Sequence, residues 1–294
     1  MATDFREQIK SVEEIRDATT FLYNPVILAL SNKYRYDSSV ADEHKFQTFD
    51  VVKDSVKAEI LTTEQTEKHH IKGRTAQRVF NLYLAGAKAI VSFRNKYMNL
   101  QKANDKVIRE YSIMFDRWSM VGDRGNNGLL VSNDPNYVTN NNVQIPAVVD
   151  DGWNQVKAMS DTFTSLLLQI DATTGDSDII VYTYGDALAA FLASFTQQNE
   201  TVIRTLMQQK FEGKRVRFIH VPSIVLKDTS MAGQNGIVVV ADNLTSFEYT
   251  QEPIVRSNGV NEENEYYWAN YVTGSVQVSP DEPGAIIKQP ITFA

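Results

Sequence analysis

The segment Gly122-Asp123-Arg124-Gly125-Asn126-Asn127-Gly128 has the glycine density of a loop that cradles phosphate. Phosphate binding of that kind needs a strand before the loop and a helix after it, so that the free N–H groups of the first helical turn face the anion. Here helical spacing precedes Gly122 and a strand-like run, Leu129-Leu130-Val131, follows Gly128, so a structural turn is the better reading. His69 and His70 are adjacent, and neighbours on a strand point to opposite faces. They cannot chelate one ion together; with Glu64 and Glu67 close by a metal site is conceivable, but an exposed ribbon tip is the better reading. His44 and His220 have no recognisable partner pattern, and Glu262, Glu263 and Glu265 read as a solvated acidic loop rather than an acid–base pair. There is no nucleophile elbow, Walker loop or metalloprotease helix. No catalytic, cofactor-binding or metal-binding residue is expected, and the protein is not expected to be an enzyme.

Composition narrows the field further. The chain has 294 residues, enough for one large or two moderate domains, with ordinary apolar and charged fractions. It contains no cysteine, which excludes disulfides, thiolate metal sites and thiol nucleophiles and fits folding in a reducing cytoplasm. The start, Met1 to Lys10, has no apolar signal core, and no window approaches the length of a membrane span. The expectation is a soluble protein, made in the cytosol, with no membrane partner. A net charge of -7 argues against a chain whose main task is gripping nucleic acid. It is compatible with a surface that lies near DNA without adhering to it.

The elements carry more information than the reactive groups. From about Phe46 to Val91 the chain reads as two long strands joined near Lys68–Arg74. Val52, Val56, Ala58 and Ile60 share one parity and Lys53, Ser55, Lys57 and Glu59 the other, which is the period of an extended strand with two unlike faces. The return arm, Arg78 to Ala85, is richer in aromatic and apolar residues. Arms of roughly fifteen residues span on the order of 50 Å, about twice an ordinary strand. A two-stranded ribbon of that length cannot bury its own apolar positions, so a neighbouring copy is the natural cover.

Before the ribbon, Phe5, Ile9, Val12 and Ile15 give a short amphipathic helix, and Phe21 to Tyr36 has no clear period. After it, 95–120 is the strongest helical pattern, through Leu100, Ala103, Val107, Tyr111, Met114 and Trp118, and Gly122 is placed to end it with a positive φ. A second unit starts near Asp150, with Asp150 or Asp151 as N-cap and an apolar helix face at Trp153, Val156, Met159, Phe163, Leu166, Leu167 and Ile170. Strands at 178–183, 216–220, 236–241 and 246–254, and helices opened by Gly185-Asp186 and carrying Val202 and Leu206, complete an α/β layer to about residue 260. The chain closes with strand-like runs at 266–273, 275–279 and 285–288, punctuated by Gly274, Pro280, Pro283 and Gly284.

This order of parts resembles the major capsid protein of tailed bacteriophages, the Hong Kong phage-type fold shared with encapsulin shells. Two local patterns are the most specific: the helix ending at Gly122 followed by Gly128-Leu129-Leu130, and Gly274-Ser275-Val276-Gln277-Val278-Ser279-Pro280 followed by Ala285-Ile286-Ile287 and Ile291. The resemblance implies an α+β fold with an N-terminal arm (1–45), an extended β-hairpin loop (46–91), a peripheral domain with a long spine helix (92–149 and 262–294) and an α/β axial domain (150–261). It further implies self-assembly into hexamers and pentamers of an icosahedral or prolate shell around double-stranded DNA, contacted non-specifically. A portal protein and separate scaffold or decoration proteins would be partners, in a virion assembled in the host cytoplasm. Candidate inter-subunit contacts are Phe5, Ile9 and Val12 in the arm, Lys68, Lys72 and Arg74 near the ribbon tip, and Phe80, Leu82 and Leu84 on its return arm. Some relatives crosslink a loop lysine to an asparagine, but no partner for Lys68 or Lys72 can be matched. An encapsulin-like cellular compartment and a soluble α/β enzyme with a cleft in 150–260 are the alternatives.

Overall fold

In a computed structural model of the protein, the residues described are 30–35, 43–51, 73–81, 83–91, 110, 113–123, 125–146, 153–175, 177–187, 216–251, 255–260 and 266–294. Runs of β-branched residues with period two build most of it. The strands are β1 (Asn32–Arg35), β2 (Glu43–Val51), β3 (Gly73–Asn81), β4 (Tyr83–Val91), β5 (Tyr137–Thr139), β6 (Val143–Ile145), β7 (Ile179–Tyr184), β8 (Val216–His220), β9 (Asn235–Ala241), β10 (Thr245–Gln251), β11 (Val255–Val260), β12 (Tyr266–Pro280) and β13 (Ile286–Phe293). Helix α1 is described over 113–121, α2 is Trp153–Thr174, and α3 is the single turn Ser223–Leu226.

A compact six-stranded sheet has the order β5-β13-β9-β7-β8, with β6 also on β13. Its central strands are buried on both faces, so their sequences read as nearly unbroken apolar runs. Parity still sorts the side chains. Ile179, Val181, Ile237, Val239, Ala241 and Ile287 pack with one core, where α2 contributes Met159, Phe163, Leu166, Leu167 and Ile170 at spacings of three and four. Ile180, Tyr182, Tyr184, Val238, Val240 and Ile286 face a second core with Phe115 and Met120 of α1 and Val225 and Leu226 of α3. Phe247, Val276 and Val278 from the other large sheet join that second core, which welds the two sheets together.

That other sheet is elongated. Strand β12 runs for 15 residues, roughly 50 Å at about 3.3 Å per residue. Along one edge it pairs antiparallel with β10 and then β11, and along the other with β4, from Tyr266↔Val91 to Gly274↔Tyr83. Strand β1 adds to β10 in parallel. Strands β2 and β3 form a separate two-stranded ribbon in antiparallel register, from Glu43↔Asn81 to Val51↔Gly73.

Four expectations change. Gly274 does not divide the closing strands: its partners Gln251 and Tyr83 hold it in extended pairing on both edges. Leu129-Leu130-Val131 is a sequence of bends rather than a strand, because its N–H groups fold back on α1. The return arm of the ribbon splits at residue 82, so β3 pairs with β2 whereas β4 belongs to the elongated sheet. Strand β13 lies between β9 and β5 in the compact sheet, where Ile286, Ile287 and Ile291 are buried. Residues 95–109, the Asp150–Asp151 cap and the helices expected between 188 and 211 lie outside the described residues.

Candidate assembly elements

The sequence-predicted contact residues separate by position. Arg74 and Phe80 stand on β3 of the ribbon, opposite Asp50 and His44. Leu84 stands on β4, opposite Thr273 of the elongated sheet. Phe5, Ile9, Val12, Lys68, Lys72 and Leu82 lie outside the described residues. Among the described residues the ribbon has no third strand, and an isolated two-stranded ribbon is at best marginal in water. Both of its long edges are free there to meet another surface.

A charged clasp holds residues 30–32 to the body. Leu30 is buried in the second core. Next to it, the Ser31 N–H and hydroxyl both donate to the Asp242 carboxylate, at 2.7 and 2.5 Å, and Asn32 Nδ2 donates to the Asn243 carbonyl at 2.9 Å. Arg217 of β8 closes the cluster with an ion pair to Asp242 at 2.7 Å. A carboxylate only 2 % exposed survives in the fold because each of these donors compensates its lost hydration. Nothing in the sequence pattern singled out Asp242; its role depends on Ser31, 211 positions away.

The turn after α1 is as expected in conformation. Gly122 has φ of 74°, and its N–H donates to the Trp118 carbonyl at 2.8 Å. A Cβ on Gly122 would sit 2.2 Å from the Asn126 carbonyl oxygen, so glycine is required twice over. The N–H groups of Gly122, Leu129 and Leu130 are given to α1 carbonyls and that of Gly128 to the Val131 carbonyl, so these four do not face an anion.

Two buried titratable groups lie near this region. Asp116 of α1 is 1 % exposed, neither carboxylate oxygen has a hydrogen-bond partner among the described residues, and burial pushes its carboxyl up to about 7. Lys288 of β13 donates to the Leu130 carbonyl at 2.7 Å and approaches Met231 Sδ at 3.7 Å, and burial lowers its pKa. His220 contacts Thr183 Oγ1 through Nδ1 at 3.4 Å. Among the described residues no group of three His, Asp or Glu side chains converges as a metal site, and no helix is long and apolar enough to cross a membrane. A groove of about 430 Å³ runs between Gly185 and the 223–234 segment, lined by Ile224, Leu226, Met231 and Gly233.

No protein-family model and no curated protein sequence matches the chain. Solved structures do. A virus-like particle from Pyrococcus furiosus aligns over 97% of this chain and 99% of its own, with TM-score 0.55 and 10% identity. The capsid of Myoviridae phage XM1 aligns over 88% and 90%, with TM-score 0.56 and 14% identity. The capsid of cyanophage P-SCSP1u aligns over 90% and 86%, with TM-score 0.54 and 10% identity. This is the tailed-phage capsid fold. It is an α+β fold, as expected, built in this chain from the ribbon, the elongated sheet and the compact sheet. At such low identity the likeness resides in the path of the backbone, and the side-chain clasp and joints described above belong to this chain.

Proposed function

We propose that this chain is the major capsid subunit of a tailed phage, assembling into hexamers and pentamers of an icosahedral or prolate shell around double-stranded DNA. The observation that carries the reading is the likeness of backbone along nearly the whole chain to proteins of closed particles. The ribbon supports it physically: β2 and β3 hydrogen-bond as strands only with each other among the described residues, and a sister subunit supplies the missing cover. Heterologous contacts that close under rotation make rings from one sequence, and simultaneous engagement by many neighbours makes the closed shell hard to dissociate.

In this reading the arm (1–45) latches a neighbour through Phe5, Ile9 and Val12. The extended loop (46–91) lies over the adjacent subunit, with Phe80, Leu82 and Leu84 against it and Lys68, Lys72 and Arg74 near its tip. Residues 92–149 with 262–294 form the peripheral part and 150–261 the axial part, and β13 of the first pairs with β9 of the second. Axial loops at 174–177 and 227–235 meet their copies at the ring centre. The chain needs no catalytic residue or cofactor, a portal and separate scaffold or decoration proteins are its partners, and the virion is its location.

Negative-stain microscopy of the purified protein tests the reading. Closed shells are expected, and a population of monomers or small oligomers under all assembly conditions would reject it. The end-to-end match to a virus-like particle favours a second reading, an encapsulin-like compartment. Native particles that hold protein cargo and no genomic DNA would select that alternative.

A further inference from the structure

The short turn between α1 and β5 touches more of the fold than its length suggests. It folds back on the helix through Leu129 N to the Ser119 carbonyl (2.9 Å) and Leu130 N to the Met120 carbonyl (2.6 Å), and closes on itself through Gly128 N to the Val131 carbonyl (2.9 Å). Towards the elongated sheet, the Asn127 carbonyl accepts the N–H of Val278 on β12 at 2.9 Å. Towards the compact sheet, the Leu129 carbonyl accepts the hydroxyl of Tyr137 on β5 at 2.8 Å, and the Leu130 carbonyl accepts Nζ of Lys288 on β13 at 2.7 Å. Leu129 and Leu130 are fully buried in the core that joins the two sheets.

One segment therefore bonds to a helix and to both sheets, with little slack at any of them. A Cβ on Gly128 would come within 2.2 Å of the Gly122 nitrogen, so the turn has a single way to close. Lys288 has no described acceptor besides the Leu130 carbonyl and Met231 Sδ, and half-buried as it is, it has little to gain by turning away.

We propose that the turn at residues 125–131 is the joint that fixes the angle between the elongated and compact sheets, and that this angle sets the curvature and hence the size of the assembled shell. The proposal rests on the capsid reading. Its physical basis is that ring and shell closure depend on the rotation relating neighbours, and a rigid subunit transmits a change of internal angle into that rotation. Packed interfaces respond to such changes by switching between discrete arrangements rather than by bending gradually.

Lys288→Met removes the donor but keeps the stem, and Tyr137→Phe deletes one oxygen. Ile179→Val trims the opposite core and serves as a control for general destabilisation. Each is assembled beside the parent chain, with folding checked by circular dichroism and particle diameter read by electron microscopy. The expected result is a shifted diameter or a second size class for both joint variants and the parent diameter for the control. If Lys288→Met does not fold, Tyr137→Phe carries the test. Joint variants that give one size class at the parent diameter, whatever their melting temperatures, overturn the proposal, as does a control that shifts diameter equally. A parent chain that forms no closed particle sinks the capsid reading itself.

Discussion

Asp116 and Asp242 are both nearly inaccessible carboxylates, yet they have opposite consequences for stability. Asp116 has no hydrogen-bond partner among the described residues, and burial raises its pKa in the fold from 3.8 to about 7. Between those values the folded chain binds more protons than the unfolded one, so stability falls as pH rises through the window and levels off above about 7. At about 1.4 kcal/mol per pH unit, the accumulated loss has an upper bound on the order of 4 kcal/mol. Asp116→Asn should flatten the slope of denaturant midpoint against pH between about 4 and 7. An unchanged slope would show that some other group controls it. Asp242 instead has three donors on its oxygens, and Asp242→Asn leaves Arg217 without its carboxylate. A loss of about 3 kcal/mol is expected from chemical denaturation at pH 7. The exposed pair Lys157–Asp161 provides the contrast, and Asp161→Asn should be near neutral.

Helix α2 shows how element-level reasoning succeeds when one period dominates. Its buried residues Met159, Phe163, Leu166, Leu167 and Ile170 are those that sequence spacing selects, because a helix lying on one sheet face must keep a single apolar stripe. Phe163→Ala should cost about 3–5 kcal/mol, as for a large ring removed from a packed core. Leu168 is 44% exposed on the same helix, and Leu168→Ala should leave the denaturant midpoint close to parent. Equal losses at the two positions would mean that α2 lies differently on the sheet. The strands at 179–184, 216–220, 235–241 and 245–251 were legible for a similar reason: each is a short β-branched run between turn residues. What escaped the sequence depends on distant partners. Strand β1 is four residues long and exists through β10; β5 and β6 are three residues each and exist through β13. Gly274 reads as a break until Gln251 and Tyr83 are seen on either side of it. The Asp242 clasp, the Asn127–Val278 bond and the Lys288–Leu130 bond join residues far apart in the chain, and no local pattern encodes them.

For the whole molecule, the decisive question is whether the ribbon serves the subunit or its neighbours. Val51 and Gly73 are register partners at the end of the described ribbon, so residues 52–72 can be replaced by Asn-Gly, a pair suited to a tight hairpin turn. The shortened chain keeps every residue of the described β2–β3 pairing and of both described cores. A subunit that completes its own fold without 52–72 should retain parent circular dichroism and unfold cooperatively. If the missing stretch is what reaches over the adjacent copy, that same subunit should stop at single capsomers or smaller species in sedimentation and form no closed shells by microscopy. On this reading the two readouts should separate cleanly: assembly lost, folding kept. Normal particles from the shortened chain would remove the ribbon from the assembly mechanism, and loss of folding would show that 52–72 is needed within the subunit itself.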